Sequence, residues 1–135
     1  MTRPFQNPDI AYIFDCYPNT IRAKCLRIRE LIFDVASEHP DIGQIEESLR
    51  WGEPSYIPSQ TKSGSMIRIH HYAKKPFDFA MYFLCNTTLV DTFRQRYPDT
   101  FQFGGNRAIE FMVDDRLAIP ELKDCILTAF TYYLE

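Results

Sequence analysis

The chain has 135 residues, of which 45% are hydrophobic and 24% charged, and a net charge of −3. That is enough for one domain (residues 1–135) with its own core, and it lacks the basic excess expected of a nucleic-acid binder. No apolar run approaches the ~20 residues of a membrane-spanning helix, and the opening MTRPFQNPD has no signal-peptide pattern. A cytoplasmic protein with neither a nucleic-acid nor a membrane partner is therefore expected. Cys16, Cys25, Cys85 and Cys125 form no CxxC pair, and three lie in apolar periodic segments, so they read as buried free thiols. The 11 Phe, 8 Tyr and single Trp favour a compact sheet with bulky side chains.

Residues 1–6 read as a loose tail. Asn7 caps a first helix, with Pro8 at its first position and its end near Cys16. Asn19 caps the next helix, over 20–38, whose apolar stripe is Ile21, Cys25, Ile28, Ile32 and Val35. Its other face carries Arg22, Lys24, Arg27, Arg29 and Glu30, either a solvated surface or a binding patch. His39-Pro40 ends it.

The stretch EESLRWGEPSY (46–56) holds the only tryptophan. It predicts a strand over 48–51, a turn at 52–54 and renewed extension over 55–57, with Trp51 and Tyr56 burying their rings at the corner. The corner is either structural or a ligand-facing edge with Arg50 and Glu53 as polar contacts. Residues 58–64, rich in Pro, Ser, Thr and Gly, predict a mobile loop and the one candidate lid.

Alternation over 65–72 and 77–84 predicts two strands with Ile67, Ile69, Phe79 and Met81 on the core side. A short hairpin loop over 72–76 sets 69 opposite 79 and 67 opposite 81. His70 then faces Asp78 on the non-core side, near Arg68, Tyr72 and Tyr82. A helix over 87–97 follows, then Gly104-Gly105-Asn106 as a turn and a strand over 107–113 with Ile109, Phe111 and Val113 inward. Pro120 opens a closing helix to Leu134, with Leu122, Ile126, Ala129 and Tyr133 as its stripe. The order α-α-β-β-β-α-β-α indicates an α+β domain, an antiparallel sheet with helices packed mainly on one face.

Chemical motifs are few. His70 and His71 are adjacent in a strand and point to opposite faces, and HExxH, paired cysteines and EF-hand loops are missing. No metal or cofactor is therefore assigned, with a looser oxygen-rich site at Glu46, Glu47, Glu53 or Asp114-Asp115 as the alternative. No phosphate loop or GxSxG occurs. His70 with Asp78 is the one acid–base pair the register predicts, and no catalytic residue is assigned. The candidate ligand-binding set is Arg50, Trp51, Glu53, Tyr56, Arg68, His70, Tyr72, Asp78 and Tyr82.

Tyr17-Pro18, the run LRIRELI from Leu26, and IEESLRWGEPSY together resemble the YdhG-like family, a domain of unknown function. Trp51, Gly52, Pro54 and Tyr56 match its Trp-Gly-x-Pro-x-Tyr corner, and the strand over 105–111 and the Pro120 helix match its C-terminal ending. The resemblance covers nearly the whole chain. It implies a small α+β domain and, through relatives linked to frataxin-like iron handling, an iron-binding or iron-delivery role. The chain departs from an acidic iron ridge at Arg22, Lys24, Arg27 and Arg29, and carries Glu110 where the family often has a basic residue. Three readings follow: a non-enzymatic module binding a small molecule or protein partner, an iron-binding protein, and a homodimeric interaction scaffold.

Overall fold

The computed structural model describes residues 3–134. Asn7 caps helix α1 (Pro8–Asp15) by accepting the Asp9 N–H, as its sequence position dictates. Helix α2 (Asn19–Glu38) buries all five residues of the expected stripe. Strands β1 (Glu46–Arg50) and β2 (Glu53–Ile57) follow, then β3 (Ile67–His70) and β4 (Phe79–Phe83). Helix α3 (Leu89–Arg96), strands β5 (Gln102–Gly104) and β6 (Ala108–Phe111), and helix α4 (Ile119–Phe130) complete the order. The fold is α+β. Its strands lie in the order β1-β2-β3-β4-β6-β5, every neighbouring pair antiparallel.

The apolar stripes of all four helices join Tyr56, Ile67, Ile69, Phe79, Met81, Phe83, Ile109 and Phe111 in one core. On the other face of the sheet, Ala80, Tyr82 and Ala108 form a separate small cluster with Tyr72 and Phe77. That second face is where polar side chains collect. The structure has four strands before α3 and two after it, against the three and one expected. The extra strands are β2, which the Pro54 corner disguised, and the three-residue edge β5.

The corner is tighter than its sequence suggests. Trp51 and Gly52 both have positive φ, 55° and 75°, and form a two-residue turn of the I′ type between Arg50 and Glu53. Pro54 lies inside β2 opposite Leu49. The I′ turn makes Arg50–Glu53 a hydrogen-bonded pair, so Leu49–Pro54 is a non-bonded pair and the missing proline N–H costs the β1–β2 ladder nothing. The missing donor falls on the β3 side, where the pairing ends at Ser55–Arg68 and the Ile69 carbonyl accepts from the Tyr17 hydroxyl at 3.5 Å. Trp51, expected to be buried, is 74% exposed because it occupies the turn itself, whereas Tyr56 is fully buried.

The β3–β4 register also differs. Ile67 faces Phe83, Ile69 faces Met81 and His70 faces Ala80, so the pairing is shifted by two residues. The connection runs over 71–78 instead of a short hairpin. A two-residue shift preserves which face each side chain occupies, but it separates His70 from Asp78. Asp78 instead accepts the Val113 N–H at 2.6 Å.

Residues 58–66 are not a free loop. Thr61 Oγ1 donates to the Ile42 carbonyl and Ser63 Oγ to the Phe130 carbonyl, while the Ser65 N–H donates to the Ala129 carbonyl. The Ser63 and Ser65 bonds go to the last carbonyls of α4, which have no i+4 donor inside the helix. They explain why α4 stops at Phe130 and leaves Tyr133 58% exposed rather than buried in its stripe. A side chain at Gly64 would overlap the Phe130 backbone.

Residues 3–6 are docked as well. Phe5 packs on the core, and the carbonyls of Arg3 and Pro4 accept from the Arg29 guanidinium; Met1 and Thr2 lie outside the described residues. Arg29, grouped by sequence with the solvated cations, is 1% exposed. It forms a two-bond pair with Glu47 (2.6 and 3.0 Å), and the Tyr56 hydroxyl donates to the same carboxylate at 2.7 Å. Cys25 and Cys125 are buried, but Cys16 and Cys85 are exposed because each lies just beyond the end of its element.

Candidate functional site

On the sheet face that the helices leave uncovered, a cleft of about 520 Å³ is lined chiefly by Trp51, Glu53, Arg68, Tyr72, Tyr82 and Arg107. The I′ turn presents Trp51 at one wall, β2 supplies Glu53 and β3 supplies Arg68, while β4 supplies Tyr82. Alternation along the strands places Glu53, Arg68 and Tyr82 on this face because Tyr56, Ile67 and Phe83 occupy the other.

Glu53 lies at the base, 4% exposed. Arg68 donates to one of its carboxylate oxygens at 2.7 Å and the Tyr72 hydroxyl to the other. Burial raises its pKa, an effect that the Arg68 and Arg107 charges oppose without cancelling. The Arg68 guanidinium lies 5.0 Å from the Trp51 ring centre and 5.1 Å from that of Tyr82, so it is held between two aromatic faces. Arg107 sits 5.8 Å from the Tyr82 ring and the Lys75 ammonium 5.9 Å from Tyr72. Burial, then the nearby Glu53 charge, raises the Tyr82 hydroxyl's pKa.

Three cations (Arg68, Lys75, Arg107) thus line the cleft against one carboxylate, Glu53. With Arg68 engaged by Glu53, Lys75 and Arg107 are the cations left to face a bound molecule.

His70 stands beside the cleft. Its Nδ1 is hydrogen-bonded to the Tyr17 hydroxyl at 2.9 Å, and its ring meets Tyr72 edge-on at 4.4 Å. Burial, aided by the charges of His71 and Arg68, lowers its pKa to about 4. At neutral pH it is an uncharged ring that buttresses Tyr72.

Of the nine residues singled out by sequence, Trp51, Glu53, Arg68, Tyr72 and Tyr82 meet in the cleft and His70 adjoins it. Arg50 is exposed at the end of β1 and takes no part in the wall. Tyr56 is on the helical side with Glu47, and Asp78 is engaged with Val113. The acid–base pair expected of His70 and Asp78 does not form.

Sequence reasoning missed Arg107 and Lys75. Alternation back from Ile109 assigns Arg107 to the core side, but it precedes β6, in the turn from β5, and escapes the strand's parity. Lys75 reaches the cleft from the 71–78 connection, which is longer than a hairpin loop.

A second hollow, about 790 Å³, lies between the N-terminal segment, the end of α2 and residues 43–47. Among its charged wall groups Arg3, Arg29, Glu46 and Glu47, Arg29 and Glu47 are already bonded to each other and Arg29 to the tail, and no Trp or Tyr lines it. Among the described residues, no three His, Cys, Asp or Glu side chains gather as a metal site would require, and no helix is long and apolar enough to cross a membrane. Comparison finds no matching family model and no significant match among curated proteins or solved structures.

Proposed function

We propose that the chain is a non-enzymatic binding module whose sheet-face cleft takes a small anionic molecule carrying a flat ring. The observation that carries this reading is the stack of Trp51, Arg68 and Tyr82, whose outer member is 74% exposed, beside Arg107 and Lys75. An aromatic ring left in water by a folded protein is a ready platform for a planar ligand, and flanking cations select negative charge. Glu53, tied to both Arg68 and Tyr72, holds the wall rigid instead of presenting a free base. An iron-delivery role draws no comparable support from the described side chains.

The test is thermal unfolding against a panel of aromatic carboxylates and nucleoside phosphates. At hundredfold excess over its Kd, a ligand of the folded state adds about 2.7 kcal/mol, a rise on the order of 8 °C. The Arg107→Ala and Trp51→Ala variants should fold normally and lose most of that rise. A panel that leaves the transition unmoved, or a rise that survives both substitutions, would overturn the reading.

A further inference from the structure

The sheet has two edges of different character. β5 is three residues long, whereas β1 runs five residues, EESLR, with no proline or lysine to block an approaching strand. The I′ turn fixes the phase of the β1 backbone. Arg50–Glu53, Ser48–Ser55 and Glu46–Ile57 are the hydrogen-bonded pairs of the β1–β2 ladder. Glu47 and Leu49 therefore direct their N–H and C=O groups outward, and among the described residues no hydrogen bond beyond β2 takes them.

This outward pair and the charges of the strand fit one partner. When a second copy of β1 lies antiparallel with Ser48 opposite Ser48, Glu47 faces Leu49 of the second copy and Leu49 faces its Glu47. That is the hydrogen-bonded spacing, and it closes two reciprocal pairs of backbone bonds. The same register sets Glu46 opposite Arg50 and Arg50 opposite Glu46, two complementary charge pairs on the face that bears the cleft. It also brings the exposed Trp51 alongside Ile45 of the second copy, at both ends of the contact. A shift of two residues in either direction keeps the phase of the backbone bonds but loses both charge matches. A self-complementary contact of this kind closes as a two-fold dimer and leaves no free β1 edge.

We propose that the chain forms a two-fold homodimer by antiparallel pairing of β1 with β1, in the register that places Ser48 on the axis. The two sheets join into one, with both clefts on the same continuous face.

Sedimentation equilibrium of the full chain, from micromolar to millimolar, tests this with Glu46→Arg and Arg50→Glu variants. Both positions are exposed and lie outside the core, so circular dichroism should match the parent. Each single variant replaces two attractive pairs by two repulsive ones and should weaken the dimer about tenfold or more. Mixing the two single variants should restore association at parental strength, because every charge again meets its opposite. A monomer throughout the range, an open-ended series of larger species, or variants that fail to complement on mixing would each overturn the proposal. The cleft's ligand binding is measured separately, so either result can stand without the other.

Discussion

Arg29, Glu47 and Tyr56 offer the sharpest test of how α2 is held to the sheet. Replacing Glu47 by Ala removes the acceptor of three hydrogen bonds, at 2.6, 3.0 and 2.7 Å. Arg29 keeps its bonds to the Arg3 and Pro4 carbonyls, with Phe5 stacked 3.9 Å away, but its charge loses its two-bond counterion and keeps only the Glu30 carboxylate at 3.5 Å. The pair has side-chain exposures of 1% and 11%, so solvent cannot replace the carboxylate without opening the structure. Breaking a buried pair from one side costs about 3–5 kcal/mol, and the 11% exposure of Glu47 favours the lower end, about 3 kcal/mol. With a urea slope of about 2 kcal/mol/M, the unfolding midpoint should fall by about 1.5 M. Tyr56→Phe, which removes only the hydroxyl, should cost about 1 kcal/mol, and the double variant should cost less than the sum. A midpoint for Glu47→Ala within about 0.3 M of the parent would refute the reasoning and return Arg29 to the ordinary surface cations.

His70 and Gly64 give two further tests. The folded pKa of His70, about 4, lies below its ordinary 6.5, so the unfolded chain takes up the proton first. The stability this contributes is whole above pH 6.5 and is lost as pH falls through 4. After allowance for solvent screening of a half-buried ring, the loss is about 1–2 kcal/mol. Urea midpoints should fall more steeply across that window for the parent than for His70→Gln, and an NMR titration of His70 near 6.5 would contradict it. Gly64→Ala should destabilise by at least about 2 kcal/mol, because its methyl group meets the Phe130 backbone, which cannot swing aside. Gly52→Ala, with open space around it but φ at 75°, should cost only about 1 kcal/mol. Equal costs for the two glycines would show that the α4 contact is looser than drawn.

Most of the fold was legible because its signals are local. The α2 stripe, the Asn7-Pro8 start and the alternation of β3 and β4 each depend on neighbours a few residues apart. The Trp-Gly-x-Pro-x-Tyr run marked a turn correctly, but Pro54 drew the bend's end two residues too late. Only the ladder phase shows that a proline is tolerated there. Where a feature rests on distant partners, the sequence was silent. Nothing near Arg29 announces that Glu47 and the Arg3 carbonyl will enclose it, so it read as one more cation on a charged helix face. The loop over 58–64 has the composition of a mobile segment, and only the carbonyls of α4 make it a fixed one. Five of the nine candidate residues still reached one cleft, because a two-residue register shift leaves strand faces unchanged.

The union of residues 63–65 with the end of α4 bears on how the chain matures during synthesis. Ser63 and Phe130 are 67 positions apart, yet each completes the other's hydrogen bonding. The hairpins and the first two helices can pair as they emerge, but residues 63–65, which lead into β3, lack their partners Ala129 and Phe130 until α4 has been made. Translation at roughly 5–20 residues per second leaves that segment without these partners for several seconds. The final helix therefore acts as a latch, closing on a segment made long before it.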